Sequence, residues 1–247
     1  MSKKCLEIGF ARFTSCSGCQ LMLLNCERQL PALMESVQIH DFPLASSAGQ
    51  GQQRLDVILV EGSISSPREV SQLLELRRRS QFLIAIGACA LTGGVNALLE
   101  IDRQAAVDQI YGEAGRRLRT FPPQPINHFV SVDWQIPGCP PESHDLIEAL
   151  ASICQGGWPG WQKMPVCMEC RIKENRCLLL ESQLPCLGPI TQAGCRARCP
   201  SLSVLCEGCR GPVAEANRDE LFRLLLHIQL SEREAWRRLR RFGGDQD

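Results

Sequence analysis

Four cysteines follow strand-like segments in the first part of the chain. Cys16 and Cys19 form a Cys-x-x-Cys pair, Cys89 follows the run FLIAIG, and Cys139 follows Ile136-Pro-Gly. The carboxyl ends of parallel strands lie at one edge of a sheet, where ligands bind. We therefore expect these four thiols, called here the first set, to meet there. Four thiolates are the ligand count of a 4Fe–4S cluster.

The local sequence around the first set favours a cluster. Cys19 and Cys139 each precede a predicted helix, whose N-terminus favours an anionic group. Glycines let the backbone approach a cluster closely at Gly18, Gly87, Gly93 and Gly138. The alternative is a thioredoxin-like redox pair at Cys16 and Cys19, with the other two cysteines buried as apolar residues. Two further cysteines at equivalent strand ends favour the cluster.

Eight more cysteines lie in residues 164–212, called here the cysteine-rich segment. They are Cys167, Cys170, Cys177, Cys186, Cys195, Cys199, Cys206 and Cys209. Eight thiols divide into two sets of four, and Cys195-x3-Cys199-Pro is similar to the close of bacterial ferredoxin runs. Zinc is the alternative, because Cys-x-x-Cys pairs also make structural zinc sites. The segment has little hydrophobic periodicity, so we expect its folding to require metal.

Strand-like and helix-like segments alternate over residues 1–155, which predicts a parallel sheet covered on both faces. The predicted strands are 5–13, 37–42, 55–60, 82–86 and a weak one near Phe129. The predicted helices are 21–33, 67–79 with Ser66 as N-cap, about 95–118, and 140–153. This order predicts a flavodoxin-like α/β domain.

The rest of the chain differs in character. The sequence GGWPGW at residues 156–161 predicts a linker. We therefore divide the chain into two domains. Domain 1–155 holds the first set, and domain 156–247 is cysteine-rich and loop-rich. Capping boxes at 217–220 and 231–234 predict two helices in the tail. One predicted helical face carries Leu221, Leu224, Leu225 and Ile228, which indicates core packing. We expect the tail to pack onto the sheet or onto a neighbouring subunit.

Composition excludes some classes of partner. The 247 residues carry 27 basic and 27 acidic side chains, so no net charge draws the chain to nucleic acid or to an acidic membrane surface. No apolar stretch is long enough to span a bilayer, and the first residues lack an export signal. We therefore expect a cytoplasmic protein, whose cysteines hold metal rather than form disulfides. The remaining cysteines are predicted to be ordinary buried thiols: Cys5, Cys26 and Cys154.

Together these motifs resemble the small subunit of nickel–iron hydrogenases of the cytoplasmic multisubunit kind, either NAD(P)-linked (the sulfhydrogenase delta type) or F420-non-reducing. The resemblance covers nearly the whole length. Its carriers are Cys16-Ser-Gly-Cys19-Gln, Val60-Glu-Gly-Ser63, GACALTGG at 87–94, Gly138-Cys-Pro-Pro141 and the cysteine-rich segment.

The resemblance implies three 4Fe–4S clusters. A proximal cluster on Cys16, Cys19, Cys89 and Cys139 would face the large subunit that carries the nickel–iron site. By order along the chain, the middle cluster would be bound by Cys195, Cys199, Cys206 and Cys209, called here the 195–209 set. The outer cluster would be bound by Cys167, Cys170, Cys177 and Cys186, called here the 167–186 set.

The implied function is electron transfer without bond chemistry in this chain. Electrons would pass between the nickel–iron site and a flavin- and iron–sulfur-bearing NAD(P)-reductase subunit, or a heterodisulfide-reductase-type subunit. No residue is assigned as catalytic. Glu61, at the end of a strand, has two open interpretations: a proton or subunit-interface contact, or a carboxylate that caps backbone N–H groups.

Departures from related subunits limit the assignment. Periplasmic hydrogenase small subunits carry twin arginines and a histidine at the outer cluster, and this chain has neither; His144 is predicted to be a helix-surface residue. The quinone-reductase subunit of respiratory complex I has adjacent cysteines at the first motif and no eight-cysteine extension. Two alternatives stay open: an iron–sulfur subunit of a sulfur- or quinone-reducing complex, and a zinc-stapled scaffold without redox activity.

Overall fold

A five-stranded parallel sheet forms the centre of the first part of the chain. A computed structural model describes residues 5–44, 53–98, 102–160 and 163–242. The strands are β1 (Leu6–Arg12), β2 (Val37–Asp41), β3 (Leu55–Glu61), β4 (Ser80–Ile86) and β5 (Trp134–Ile136). They lie in the order β2-β1-β3-β4-β5, and every neighbouring pair is parallel. This is the flavodoxin-like strand order, so the predicted α/β fold class is confirmed.

The middle of strand β3 is apolar, and helices cover both of its faces. Residues 57–60 are each 0% exposed. Their side chains alternate, as the two-residue period of a strand requires. Val57 and Leu59 join one apolar cluster, whereas Ile58 and Val60 join the cluster on the opposite face. The sheet is therefore a rigid base whose strand ends hold their positions.

Six helices belong to this part of the described chain. They are α1 (Gly18–Leu24), α2 (Leu30–Met34), α3 (Pro67–Arg79), α4 (Gly87–Thr92), α5 (Arg103–Tyr111) and α6 (Ser143–Cys154). Helices α1 and α6 bury their apolar residues on one face of the sheet, and α3 and α4 bury theirs on the other. Helix α3 has the predicted bounds, because Ser66 Oγ accepts the backbone N–H of Glu69 at 3.3 Å and Pro67 fits the first turn.

Several predicted elements differ from the structure. The predicted helix 21–33 is two helices, α1 and α2, separated by a turn, and Pro31 lies in the first turn of α2, where proline is tolerated. The predicted helix 95–118 is broken into 3-10 turns on either side of α5, and residues 99–101 lie outside the described residues. The strand predicted near Phe129 is wrong, since a 3-10 turn ends there and the strand is β5. Helix α6 starts after the prolines at 140–141, because a residue that precedes proline avoids helical geometry.

The cysteine-rich segment and the tail share an apolar core. The segment contains α7 (Val166–Ile172) and α8 (Arg198–Ser201), and the tail contains α9 (Arg218–His227) and α10 (Glu232–Arg240). The caps predicted at Asn217 and Ser231 are present, so the prediction of two tail helices is confirmed. The shared core includes Val166, Leu178, Leu187, Leu221, Leu225 and Leu239. The tail thus packs on the cysteine-rich segment, and the expectation that it packs on the sheet is wrong.

The predicted linker also contacts the sheet. The Trp158 ring stacks on Trp134 of β5 with 5.4 Å between ring centroids, and its edge meets Phe82 of β4 at 5.1 Å. Trp161 lies outside the described residues. The division of the chain at residue 155 stays a prediction. Within the described part of the chain, no helix is long and apolar enough to cross a membrane.

Candidate metal centres

The thiols of the first set lie at one edge of the sheet. Cys16 and Cys19 follow β1, Cys89 lies in α4 directly after β4, and Cys139 follows β5. They are close enough for their charges to interact, since Cys16, Cys89 and Cys139 each raise the pKa of Cys19. The parallel strands thus bring together four thiols from three distant parts of the sequence.

Glycines leave space beside these sulfur atoms. A Cβ atom added to Gly87 would lie 2.3 Å from the Sγ of Cys19, and one added to Gly94 would lie 3.1 Å from the Sγ of Cys89. Both glycines have positive φ angles, of 82° and 56°, which other residues adopt with strain. Close backbone approach to the sulfur atoms fits the binding of a bulky inorganic group.

The raised pKa values of the first-set thiols also fit a site that binds metal. Burial is the main cause of the raised pKa values of Cys19, Cys89 and Cys139, and it raises the pKa of Cys89 to about 11. Repulsion between the thiolates raises them further. Four neighbouring thiolates therefore need a cationic partner, which bound iron supplies.

Two polar side chains that sequence reasoning missed support the first set. The amide of Asn96 donates to the Sγ of Cys89 at 3.4 Å. The guanidinium of Arg12 donates to Ser17 Oγ at 2.8 Å and supports the turn between Cys16 and Cys19. In the sequence, the only signal for Asn96 is its position two residues after Gly94, where a polar side chain has many possible roles.

Glu61 lies directly beside the first set. It is 0% exposed, and its carboxylate accepts the hydroxyl of Ser15 and the backbone N–H of Gln20, both at 3.1 Å. Burial raises the pKa of Glu61, and its charge in turn raises the pKa of Cys19. One of these contacts is with a backbone N–H, and a hydrogen bond with the Cys19 thiol also lowers the pKa of Glu61, so both interpretations of Glu61 stay open. The side-chain amide of Gln20 is fully buried and has no hydrogen-bond partner among the described residues.

The thiols of the 167–186 set also lie near one another. Burial raises the pKa of Cys167 to about 12, and the charges of Cys186, Cys170 and Cys177 add to this. A Cβ atom on Gly188 would lie 3.3 Å from the Sγ of Cys167 and 3.6 Å from that of Cys186. Here too a glycine leaves space beside two thiols from separate parts of the segment.

Neighbouring charges link three thiols of the 195–209 set, Cys199, Cys206 and Cys209, and the charge of Arg210 acts on both Cys195 and Cys209. Burial raises the pKa of Cys206 and of Cys209, and the charge of Cys209 acts on Cys206 while that of Cys199 acts on Cys209. Cys195 lies on the turn that leads into α8, where the backbone N–H of Arg198 donates to its carbonyl at 3.2 Å. The pKa of Cys195 is raised to about 11. Burial is the largest cause, and repulsion from the Glu169 carboxylate is the second.

Neighbouring thiols connect the three sets in a definite order. The charge of Cys209 raises the pKa of Cys139. In turn, a hydrogen bond from the backbone N–H of Cys139 lowers the pKa of Cys209. On the other side, the charge of Cys186 raises the pKa of Cys206. The 195–209 set therefore lies between the first set and the 167–186 set.

One smaller prediction needs correction. His144 lies in α6 with 36% of its side chain exposed, and its Nε2 is 2.9 Å from the carbonyl oxygen of Gly194 in the cysteine-rich segment. Of the three remaining cysteines, Cys26 is buried as predicted, Cys154 is half-buried and Cys5 is exposed, because Cys5 precedes the first residue of β1. None of the fifteen cysteines forms a disulfide bond.

No single-ion site accompanies these sets in the described ranges. There, no three or more His, Cys, Asp or Glu side chains are arranged to hold one metal ion. A 4Fe–4S cluster makes a different demand on its ligands, because each thiolate binds a different iron atom.

Comparison with known proteins places the chain among redox subunits. Residues 16–153 match the family described as NADH ubiquinone oxidoreductase, 20 Kd subunit. The chain is 38% identical over 237 residues to the sulfhydrogenase 2 subunit delta of Pyrococcus furiosus, which covers 96% of this chain and 99% of that subunit. It is 31% identical over 236 residues to a subunit of the F420-non-reducing hydrogenase vhu of Methanocaldococcus jannaschii, which covers 83% of this chain and 82% of that subunit.

Solved structures agree with this placement. A chain of the NAD+-reducing NiFe hydrogenase in the H2-reduced state is 28% identical, with a TM-score of 0.56, and the match covers 64% of this chain and 96% of that one. The recombinant NiFeSe hydrogenase from Desulfovibrio vulgaris Hildenborough shares the fold over 87% of this chain and 96% of its own, with a TM-score of 0.61 and 15% identity. The chain thus belongs to the NADH ubiquinone oxidoreductase 20 Kd subunit family and is a homologue of subunits of sulfhydrogenases and F420-non-reducing hydrogenases.

Proposed function

We propose that this chain is the electron-transfer subunit of a nickel–iron hydrogenase that acts on H2. The observation that carries the proposal is the order of the three thiol sets. The backbone N–H of Cys139 donates to Cys209, and that of Leu187, next to Cys186, donates to the carbonyl of Cys206 at 2.9 Å. A row of neighbouring sites is what stepwise electron transfer requires. The similarity to a sulfhydrogenase delta subunit over 96% of this chain supports the same function.

We propose that each set binds one 4Fe–4S cluster. The first set would hold the proximal cluster, the 195–209 set the middle one and the 167–186 set the outer one. Each set offers four thiols, and glycines leave space beside the sulfur atoms of the first and the 167–186 sets. When bound, the clusters supply sites that each take up and release one electron.

The chain's own residues position the clusters and surround them. The sheet positions the four strand-end thiols, and Cys206 of the 195–209 set is buried. Hydrogen bonds to sulfur, such as that from Asn96, and nearby charges adjust the reduction potential of a cluster. No residue of this chain is proposed to make or break a substrate bond.

The two ends of the row suggest two classes of partner. Cys16 and Cys139 are exposed at the sheet edge, so we place there the large subunit with the nickel–iron site. At the 167–186 end we place a flavin- and iron–sulfur-bearing NAD(P)-reductase subunit or a heterodisulfide-reductase-type subunit. A relative named as the delta subunit of an NAD-reducing hydrogenase, 28% identical over 167 residues, supports the first of these. We propose a reducing, cytoplasmic location, in which cysteines hold metal rather than form disulfides.

Metal and sulfide analysis of the anaerobically purified complex tests this assignment. About twelve irons and about twelve sulfides in this subunit, with little zinc, are expected for three cubane clusters. About four irons with about two zinc ions would instead make the cysteine-rich segment a structural staple, and the proposed electron path would be wrong.

A quinone- or sulfur-reducing complex is the second candidate. The family that matches residues 16–153 favours this candidate, because its description names a subunit of NADH ubiquinone oxidoreductase. Hydrogen-dependent reduction of a viologen dye by the complex separates the two candidates. Dye reduction is expected for a hydrogenase, and its absence in a complex with all its clusters would favour the second candidate.

A further inference from the structure

The turn around Gly194 is held by side chains from three parts of the chain. Its backbone N–H donates to Glu169 at 2.8 Å, and its carbonyl oxygen lies 2.9 Å from Nε2 of His144. A Cβ atom at this position would lie 2.3 Å from Nη2 of Arg210, and its φ angle is 122°. Glycine is therefore required where Arg210 packs against the turn that carries Cys195.

Glu169 holds this turn from the side of the 167–186 set. It lies in α7, between Cys167 and Cys170. Besides the N–H of Gly194, its carboxylate accepts the backbone N–H of Ala197 at 2.9 Å and lies 3.7 Å from the Sγ of Cys195. One carboxylate therefore joins the outer and middle sites and brings a negative charge to a middle-site sulfur atom.

Arg210 holds the same turn from the side of the first set. It is 3% exposed, its Nε donates to the carbonyl of Ala193 at 2.9 Å, and its Nη1 donates to that of Pro137 at 3.3 Å. The same Nη1 forms an ion pair with the buried carboxylate of Asp145 in α6. A buried cation thus lies next to Cys209 in the chain and beside the loop that carries Cys139.

The two charges act on the middle site in opposite directions. The Glu169 carboxylate lies 3.7 Å from the Sγ of Cys195. The Arg210 guanidinium packs against Gly194, the residue before Cys195, and Arg210 directly follows Cys209 in the chain. A negative charge near a cluster disfavours the added electron, and a positive charge favours it.

We propose that Glu169 and Arg210 are positioning residues of opposite charge that hold the Cys195 turn between them and set the reduction potential of the middle cluster. Glu169 lowers this potential and Arg210 raises it. The inference rests on the proposed function, because it needs a cluster at the 195–209 set.

An EPR-monitored redox titration of the purified complex tests the role of Glu169. Glu169→Gln is compared with Glu174→Gln, the same substitution at an exposed position five residues further on. The middle-cluster step is identified with Cys199→Ser, which changes one ligand of that set. We expect this step to move to a more positive potential in Glu169→Gln and to stay in place in Glu174→Gln. An unmoved step in a Glu169→Gln complex with all its iron would overturn the proposal.

A second series tests Arg210 without leaving a carboxylate buried and unpaired. Asp145→Asn is compared with the double variant Asp145→Asn, Arg210→Gln, so that only the cation differs. We expect the middle step to lie at a lower potential in the double variant than in the single one. Equal potentials would overturn the role of Arg210.

Iron analysis of the same samples distinguishes failure of the proposed function from failure of the proposed roles of Glu169 and Arg210. A wild-type complex without about twelve irons in this subunit would refute the proposed function itself. If wild type has its full iron and Glu169→Gln loses about four irons, the positioning role of Glu169 is supported, and the Asp145 series then decides whether charge sets the potential.

Discussion

The side-chain amide of Asn96 donates a hydrogen bond to the Sγ of Cys89 at 3.4 Å. The same amide nitrogen lies 3.0 Å from the carbonyl oxygen of Thr14 and 3.3 Å from Ser63 Oγ. One side chain therefore joins the segments that follow β1, β3 and β4. Its hydrogen bond reaches a sulfur atom that we propose as a ligand of the proximal cluster.

Replacement of Asn96 by alanine is expected to lower the reduction potential of the proximal cluster. A hydrogen bond to a ligand sulfur stabilises the more negative, reduced state, and Asn96→Ala removes it. EPR-monitored titration of the complex measures the potential. The exposed Asn127 provides the control as Asn127→Ala, and equal potentials in the two variants would show that the hydrogen bond has no such effect.

Glu61→Gln separates the two interpretations of Glu61. A residue that transfers protons during turnover predicts a loss on the order of 10²-fold when its carboxylate is removed. A capping role predicts turnover close to wild type, because the glutamine oxygen still accepts the N–H of Gln20. The buried contacts with Gln20 and Ser15 favour capping, so we expect little change in hydrogen-dependent dye reduction. A large loss with full iron content would favour proton transfer instead.

The sequence predicts best what local pattern determines. The apolar run of β3 and the Ser66–Pro67 start of α3 are encoded within a few residues, and both elements are as predicted. The meeting of the first-set thiols follows from a general property of parallel sheets. Element ends were less predictable where proline or glycine interrupts a helical pattern, as at Pro31 and Gly112.

Contacts between distant segments were not predictable from one sequence. Nothing in the spacing of Glu169 indicates that it accepts N–H groups from residues 194 and 197. Likewise, the helical face of α9 indicated burial, but not that its partner is the cysteine-rich segment rather than the sheet. A hydrophobic pattern shows which face of a helix is covered and leaves open what covers it.

Gly87→Ala is expected to remove the proximal cluster. The added Cβ would lie 2.3 Å from the Sγ of Cys19, so this thiol must move. Gly156→Ala is a matched control, since its φ angle of 79° is close to the 82° of Gly87 but nothing lies within 4 Å of the added Cβ. Iron analysis should show a loss of about four irons in Gly87→Ala and none in Gly156→Ala. Full iron in Gly87→Ala would contradict the prediction, whereas an equal loss of iron in both variants would assign the loss to backbone strain.

The iron-free chain is expected to lose stability as the pH rises above the ordinary range of thiol ionisation. In the folded chain the pKa of Cys89, which lies at the sheet edge rather than in the cysteine-rich segment, is about 11, whereas an unfolded chain ionises its cysteines near about 8.5. The folded state therefore binds more protons between these values, and the free energy of unfolding falls as the pH rises from about 8.5 toward about 11. Thermal unfolding of the iron-free chain, kept reduced and anaerobic, measures this at several pH values. The variant Cys89→Ser should show a smaller decrease, because serine does not ionise in this range. An equal decrease in both proteins would assign the effect to other groups. A smaller decrease in the serine variant would show that thiol burial opposes thiolate formation until iron is bound.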